Sequence, residues 1–170
     1  DPPLACLDKA TGELKWHAEG NGKFKFGNAR VCPVVKDNMV LCTFSYNEFL
    51  TAFSLETGEM IDAIRLDHGP YQNWSSPILI DGMVFVPRVN GVVMKIDPSN
   101  MTLRWSNVVE KIEPRLSLQK NWSFWPSKSN AEMGPYPYEN LLMGITSTPV
   151  GSSGRLFVGT VSGEVVCMKI

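Results

Sequence analysis

A short stretch near the start of the chain recurs twice further along, and this repetition constrains the fold more than any other feature. Residues 7–16 read LDKATGELKW, residues 55–62 read LETGEMID, and residues 96–105 read IDPSNMTLRW. The turns are centred on Thr11, Thr57 and Asn100, which are 46 and 43 residues apart. A period of this size is typical of propellers and other repeat arrays. The sequence therefore predicts a chain built from repeated units.

Each unit consists of four short segments with the apolar pattern of strands. One unit contains VCPVV, MVLCTF, LTAFSL and EMIDAIRL, and the next contains SPILI, MVFVPRV, VVMKID and MTLRWSNVV. Turn dipeptides separate the segments, among them Asp37-Asn38, Asp81-Gly82 and Ser153-Gly154. We predict antiparallel sheets with sequential up-and-down connections over residues 31–66, 76–109 and 144–170. Because a lone four-stranded sheet cannot bury both faces, the units should stack radially as the blades of an all-β propeller.

The recurring stretch is predicted to be the outer hairpin of each blade. A carboxylate before the turn can accept backbone N–H bonds, and a turn glycine supplies the positive φ that the turn needs. A tryptophan at fixed spacing can lay its ring against the neighbouring blade. The predicted docking residues are Asp8, Thr11, Gly12, Trp16, Thr57, Gly58, Asp97 and Trp105.

These hairpins resemble the repeat of the pyrroloquinoline quinone (PQQ)-type propellers, whose outer hairpin reads A-x-D-x-x-T-G-x-x-x-W. LACLDKATGELKW, LTAFSLETGEM and GVVMKIDPSNMTLRW carry the resemblance, which covers nearly the whole chain except residues 111–143. The second copy departs from the pattern, with Ser54 at the aspartate position and Asp62 at the tryptophan position, and the third has Asn100-Met101 in place of Thr-Gly. These departures leave the docking of the second blade open.

The resemblance implies a ring of seven or eight blades, whereas residues 1–170 supply about three. The chain begins and stops at the third strand of a blade, so we expect a partial propeller that is a fragment of a larger chain. The alternative is a ring shared by two chains.

Residues 111–143 interrupt the repeats with a long loop rich in Pro, Ser and aromatic residues. Loops of this length are usually functional or disordered. The aromatic side chains of the insertion either form a contact surface for a partner or a sugar, or fold back and cover the blade edges. The candidates are Trp122, Phe124, Trp125, Tyr136 and Tyr138.

Three Asn-x-Ser/Thr triplets fit the N-glycosylation pattern, at Asn73, Asn100 and Asn121. Each lies in a predicted turn or loop, so we expect all three to be exposed and the protein to be secreted or luminal. Chance alone also produces such triplets. In an oxidising compartment, Cys32 and Cys42 could form a disulfide across their hairpin, although a register shift of one residue would place them on opposite faces of the sheet.

Composition argues against several partners. A net charge of −1 leaves no basic field for a nucleic-acid backbone, and no apolar run is long enough to span a membrane. The four cysteines lack the spacing of a metal site, so we predict no metal.

The sequence favours a non-catalytic propeller that acts as an interaction platform in a secreted, cell-surface or luminal protein. Its partner would be another protein or further blades of the same protein. The resemblance also implies an alternative, a segment of a quinoprotein dehydrogenase that holds PQQ and calcium with residues mostly outside this segment. Such enzymes commonly mark the site with two adjacent cysteines, and no such pair occurs here. We therefore predict no cofactor and no catalytic residues within the segment.

Overall fold

The computed structural model describes residues 4–18, 31–44, 49–66, 73–89, 91–109, 144–160 and 162–170. Within these ranges the chain forms thirteen strands in four sheets and no helix. The first sheet contains β1 (Ala5–Leu7) and β2 (Leu14–His17), and the second contains β3 (Val34–Lys36), β4 (Met39–Thr43), β5 (Phe49–Ser54) and β6 (Met60–Arg65). The third contains β7 (Ile78–Ile80), β8 (Met83–Pro87), β9 (Val92–Asp97) and β10 (Thr102–Val108), and the fourth contains β11 (Val150–Ser152), β12 (Arg155–Gly159) and β13 (Val165–Lys169).

Strands that follow one another in sequence are neighbours in each sheet, and every pair is antiparallel. The predicted up-and-down topology is therefore confirmed. The first two strands of the third and fourth sheets are joined by two-residue turns with positive φ at both positions: Asp81 and Gly82 at 49° and 78°, Ser153 and Gly154 at 51° and 70°. These are type I′ turns, whose twist matches that of the flanking strands.

The second sheet is buried on both faces. Along β4, Leu41 belongs to a core shared with the third sheet, whereas its neighbours Val40 and Cys42 belong to a core shared with the first. Successive side chains of a strand point to opposite faces, so one strand contributes to two cores. All three side chains are at most 4% exposed.

The third sheet repeats this arrangement. Val84 and Val86 on β8 pack toward the second sheet, while Phe85 between them joins a core with Leu156 and Val158 of the fourth sheet. The four sheets therefore lie in sequence order, each packed face to face on the next, as the blades of a propeller do. In the described ranges no helix is long and apolar enough to cross a membrane.

Candidate functional site

The outer hairpin of the first sheet is held by the side chain of Asp8. Its Oδ1 accepts the backbone N–H groups of Ala10 (2.9 Å) and Thr11 (3.1 Å), and its Oδ2 pairs with Lys15 Nζ at 3.0 Å. The Gly12 N–H donates to the Asp8 carbonyl (2.8 Å) with Gly12 at φ 75°. The bond from Lys15, followed by those from the backbone, lowers the pKa of the Asp8 carboxyl. The carboxylate thus closes the turn.

The second hairpin has the same frame although Ser54 replaces the aspartate. The Ser54 hydroxyl oxygen accepts the N–H groups of Glu56 (3.3 Å) and Thr57 (3.1 Å), and the Gly58 N–H donates to the Ser54 carbonyl at 2.9 Å. Gly58 has φ 75°, the same value as Gly12. A hydroxyl can accept the bonds that the carboxylate accepts, so this departure from the repeat pattern leaves the turn intact.

The third hairpin is built around Asp97. The backbone N–H and the hydroxyl of Ser99 both donate to Asp97 Oδ1, and Arg104 pairs with Oδ2. The Ser99 hydroxyl, then Arg104, lowers the pKa of Asp97 to about 2. Met101 stands at the turn-glycine position with φ 48°, a conformation that costs a non-glycine residue about 1–2 kcal/mol.

Trp16 joins the first sheet to the second. Its indole Nε1 donates to the Leu55 carbonyl at 3.0 Å, and its ring lies directly on the turn glycine Gly58. A Cβ added at Gly58 would lie 2.5 Å from Trp16 Cε3 and 2.7 Å from Cδ2. Phe53 and Met60 belong to the same core as the indole. We call this site, formed by Gly58, the Leu55 carbonyl, Phe53 and Met60, the indole socket.

The junction between the second and third sheets lacks such a tryptophan. Asp62 occupies that position, is exposed, and accepts the N–H of Ala63 at 2.7 Å. On the facing sheet Met101 is only 9% exposed and lies in the shared core with Ile96 and Leu103. In the third sheet, Met101 of the turn itself therefore enters the core, where in the second sheet an indole from the preceding sheet lies on Gly58. No tryptophan stands at the docking position of this junction.

The junction between the third and fourth sheets again uses a tryptophan. Trp105 meets Phe85 edge to face, with ring centroids 5.9 Å apart and an interplanar angle of 62°, and it belongs to the core that contains Leu156 and Met168.

Polar side chains connect the segments between sheets. Arg88, the largest fully buried side chain among the described residues, donates from Nη1 to the Leu66 carbonyl at 2.8 Å, and the Ser75 hydroxyl donates to the Ile145 carbonyl at 2.8 Å. The Cys32 N–H donates to the Ser76 hydroxyl at 2.9 Å. None of these bonds was predicted from the sequence, because each joins residues of different units. Arg88 and Ser75 are fully buried, so their hydrogen bonds offset the cost of removing these polar groups from water.

With the hairpins and their sockets described, the chain can be compared with known proteins. A family profile of the PQQ_2 type, described as outer membrane protein assembly factor BamB, matches residues 1–120. The chain belongs to the PQQ-like β-propeller repeat family. A search of curated protein sequences gives no significant match.

Solved structures with the same fold match nearly all of this PQQ-like chain. BamB from Moraxella catarrhalis is 13% identical with a TM-score of 0.64, over 97% of this chain and 39% of that one. The computationally designed Ika4 protein is 13% identical with a TM-score of 0.64, over 98% and 78%. The quinohemoprotein alcohol dehydrogenase ADHIIG from Pseudomonas putida HK5 is 14% identical with a TM-score of 0.62, over 94% and 26%. This chain thus spans about two fifths of the BamB structure, and at these identities the likeness shows the fold alone.

The cysteines of the PQQ-like chain are all free thiols in the structure, so the predicted Cys32–Cys42 pairing is absent. The strand register explains this, because Val34 lies opposite Leu41 and Val35 lies opposite Val40. Continued by one residue, the same register places Pro33 opposite Cys42, and not Cys32. Cys32 is exposed and Cys42 is buried. Burial, with a smaller effect of the neighbouring Cys32, raises the pKa of the Cys42 thiol to about 12.

The three glycosylation candidates of the PQQ-like chain have different environments. Asn73 was expected at an exposed turn, which is wrong: it is fully buried and its Nδ2 donates to the Phe44 carbonyl at 3.2 Å. Asn100 is exposed, and the Thr102 hydroxyl donates to its Oδ1 at 2.6 Å. Asn121 lies outside the described residues, as do the aromatic candidates Trp122, Phe124, Trp125, Tyr136 and Tyr138. In the described part of the chain no three His, Cys, Asp or Glu side chains group as metal ligands.

Proposed function

We propose that this chain is part of a PQQ-like propeller that acts as a non-catalytic interaction platform in a secreted, cell-surface or luminal protein. The supporting observation is that buried polar side chains between the sheets form hydrogen bonds within the protein. Arg88, Ser75 and Asn73 all donate to backbone carbonyls of neighbouring segments, so these groups hold the sheets together. Side chains committed in this way rigidify a surface and do not reach a substrate.

The family comparison supports a protein as the partner. The matching profile is described as an outer membrane protein assembly factor, which is a protein-assembly role for that family. A propeller offers a large, rigid surface, and partners whose backbone moves little on binding are common in preorganised complexes. The partner is a protein or further blades of the same protein.

The compartment is proposed from Asn100. The exposed side chain and the hydroxyl of Thr102 beside it present an Asn-x-Thr acceptor at a hairpin turn. Asparagine at such a turn is accessible to the glycosylation machinery of the secretory pathway. The test is the mass of the protein from its native cells before and after glycosidase. Thr102→Ser keeps the acceptor pattern and Thr102→Val removes it, so a glycan lost only in Thr102→Val supports the assignment, and no mass change in the wild type contradicts it.

The alternative function is a segment of a quinoprotein dehydrogenase, supported by the fold shared with the Pseudomonas putida alcohol dehydrogenase and with a europium-containing methanol dehydrogenase (TM-score 0.58, 12% identity). The 170 residues contain no adjacent cysteine pair, so this alternative places the cofactor site mostly outside the segment.

The deciding experiment is affinity purification of the tagged protein from its native cells, followed by mass spectrometry, an absorbance spectrum and metal analysis. A reproducible protein partner with no quinone absorbance supports the platform. Stoichiometric quinone with bound metal overturns it, and so does a purified protein that has neither a partner nor a cofactor.

A further inference from the structure

The Asn73 triplet differs from the Asn100 triplet in what its two acceptor groups contact. In the exposed triplet, Asn100 Oδ1 accepts the hydroxyl of its own triplet, so the hydrogen bond is local. The other triplet binds distant segments. Asn73 Nδ2 donates to the Phe44 carbonyl at 3.2 Å, and the Ser75 hydroxyl donates to the Ile145 carbonyl at 2.8 Å. Both of these side chains are fully buried, so folding commits the two groups that N-glycosylation requires.

The two segments that cover the Asn73 triplet lie on opposite sides of it in the sequence. Phe44 precedes Asn73 by 29 residues, whereas Ile145 follows Ser75 by 70 residues. A chain that enters a compartment from its N-terminal end therefore carries Phe44 in before the triplet and Ile145 long after it. During this interval the triplet has entered, and the bond that holds the Ser75 hydroxyl cannot yet form.

Gly144 determines how closely the closing segment approaches the rest of the protein. A Cβ added at Gly144 would overlap the Val89 carbonyl oxygen and would lie 2.7 Å from the Gly91 amide nitrogen. The residue also has φ 113°, which side chains rarely adopt. The next residue, Ile145, is fully buried and supplies the carbonyl that accepts the Ser75 hydroxyl. The bond that closes the triplet therefore depends on glycine at position 144.

We propose that Asn73 is a glycosylation site whose use is decided by folding. The sugar is added only to chains in which Ile145 has not yet closed on Ser75, and a chain modified in this way cannot close afterwards. This inference rests on the proposed function, since it requires entry into the secretory pathway. Folded protein then carries sugar at Asn100 and none at Asn73.

The modification is a group transfer to the Asn73 amide. Its Nδ2 forms a bond to the anomeric carbon of an oligosaccharide, the bond from that carbon to a lipid-linked diphosphate breaks, and the amide proton leaves with the diphosphate. In the folded protein the same Nδ2 contacts the Phe44 carbonyl, and the side chain has no exposed surface. Because a glycan is bulky and lies in solvent, the modified and the folded states exclude each other.

The test directs the full-length protein into the endoplasmic reticulum of cultured cells with a cleavable signal peptide. Glycan occupancy at Asn73 and Asn100 is measured in the soluble and the aggregated protein, by enzymatic deglycosylation in ¹⁸O-labelled water and peptide mass spectrometry. We expect Asn100 to be modified in both fractions and Asn73 to be modified in the aggregated fraction alone. Glycan on Asn73 in the soluble protein, or on Asn73 in neither fraction, overturns the proposal.

A variant of the closing segment tests the same mechanism from the other side. Gly144→Ala should raise the glycosylated fraction of Asn73 at least about fivefold over the wild type, because the overlap with the Val89 carbonyl shifts the balance from closed to open chains. Gly154→Ala is the matched control, since it also substitutes a glycine of positive φ but has open space around the new Cβ. Occupancy of Asn100 should be the same in all three proteins. An equal rise at Asn73 in both variants, or no rise in Gly144→Ala, contradicts the proposal.

These outcomes separate the inference from the proposed function. The native compartment is tested by the Asn100 glycan of protein from its native cells, whereas Asn73 is measured after the signal peptide has imposed the compartment. Native protein without a glycan removes the secretory assignment, and the exclusion between glycan and burial at Asn73 is then decided by the soluble and aggregated fractions alone. Glycan on Asn73 in soluble protein removes the inference and leaves the compartment standing.

Discussion

Substituting Gly58 by alanine tests the docking of the first sheet on the second. The new Cβ would lie 2.5 Å from Trp16 Cε3, and ordinary carbon–carbon contacts lie near 3.5–4.0 Å, so the indole must move by about 1 Å. That movement breaks the Nε1 bond to the Leu55 carbonyl, worth about 0.5–1.5 kcal/mol, and loosens the packing of the ring. Alanine at φ 75° adds about 1–2 kcal/mol of backbone strain. We expect Gly58→Ala to lower the free energy of unfolding by about 3 kcal/mol.

The matched control is Gly154→Ala, which has the backbone strain without the clash because open space surrounds that glycine. It should cost about 1–2 kcal/mol. In a Trp16→Ala background the cost of Gly58→Ala should fall to the same value, which gives a coupling of about 1.5 kcal/mol. Urea denaturation followed by circular dichroism measures the wild type and the four variants. Equal costs for the two alanine substitutions in the wild-type background would refute the reasoning.

Four further predictions follow from single sites. Asp62→Trp alone should lower the free energy of unfolding, because the new ring should meet Met101. Adding Met101→Gly should recover at least about 1 kcal/mol of that free energy in urea denaturation. Additive effects of the two substitutions would contradict the idea that methionine replaces the docking ring at this junction. Ser54→Ala should cost about 1 kcal/mol through two lost turn bonds, while Ser54→Asp should cost little; similar losses for both would be inconsistent with the shared frame. Because the pKa of Asp97 in the folded protein is lowered to about 2, its carboxylate stabilises the fold above pH 3.8, and this stabilisation is lost as the pH falls toward 2. In Asp97→Asn the free energy of unfolding should no longer fall over this pH range by the amount that Asp97 contributes. The same pH dependence of unfolding in the variant and the wild type would contradict the lowered pKa. At pH 8 iodoacetamide should modify the exposed thiols and spare Cys42, whose pKa is about 12; peptide mass spectrometry showing early Cys42 alkylation would contradict its burial.

The sequence predicted the parts of the fold that depend on local pattern. Turn dipeptides such as Asp81-Gly82 and the alternation of apolar residues along each strand are read within a few residues, and the structure has the sheets and connections expected from them. Trp16 could be assigned to a neighbouring blade because its spacing from Asp8 recurs between Asp97 and Trp105 in the third copy.

The remaining features depend on contacts between residues far apart in the chain. The sequence predicts that Asn73 is exposed because it lies in a predicted turn or loop, and only the approach of the Phe44 carbonyl shows why it is buried. Arg88 gives no local sign that the Leu66 carbonyl will receive its guanidinium. The sequence places Met101 at the turn-glycine position but does not show that its side chain enters the core between the second and third sheets. Contacts between residues of different sheets cannot be predicted from the pattern of residues along one strand.

The sharing of β4 and β8 between two cores has a consequence for how such a chain can change over evolutionary time. Leu41 packs in the core shared with the third sheet and Cys42 in the core shared with the first, although the two residues are adjacent in sequence. A tandem duplication that copies one whole sheet therefore creates one new junction, in which the two opposite faces of that sheet must pack on each other although they do not meet in the present chain. A duplicated segment that includes both Trp16 and Gly58 keeps the ring and its glycine matched. The segment that can be duplicated without a packing mismatch is thus one that spans a junction between sheets, and not one that coincides with a sheet.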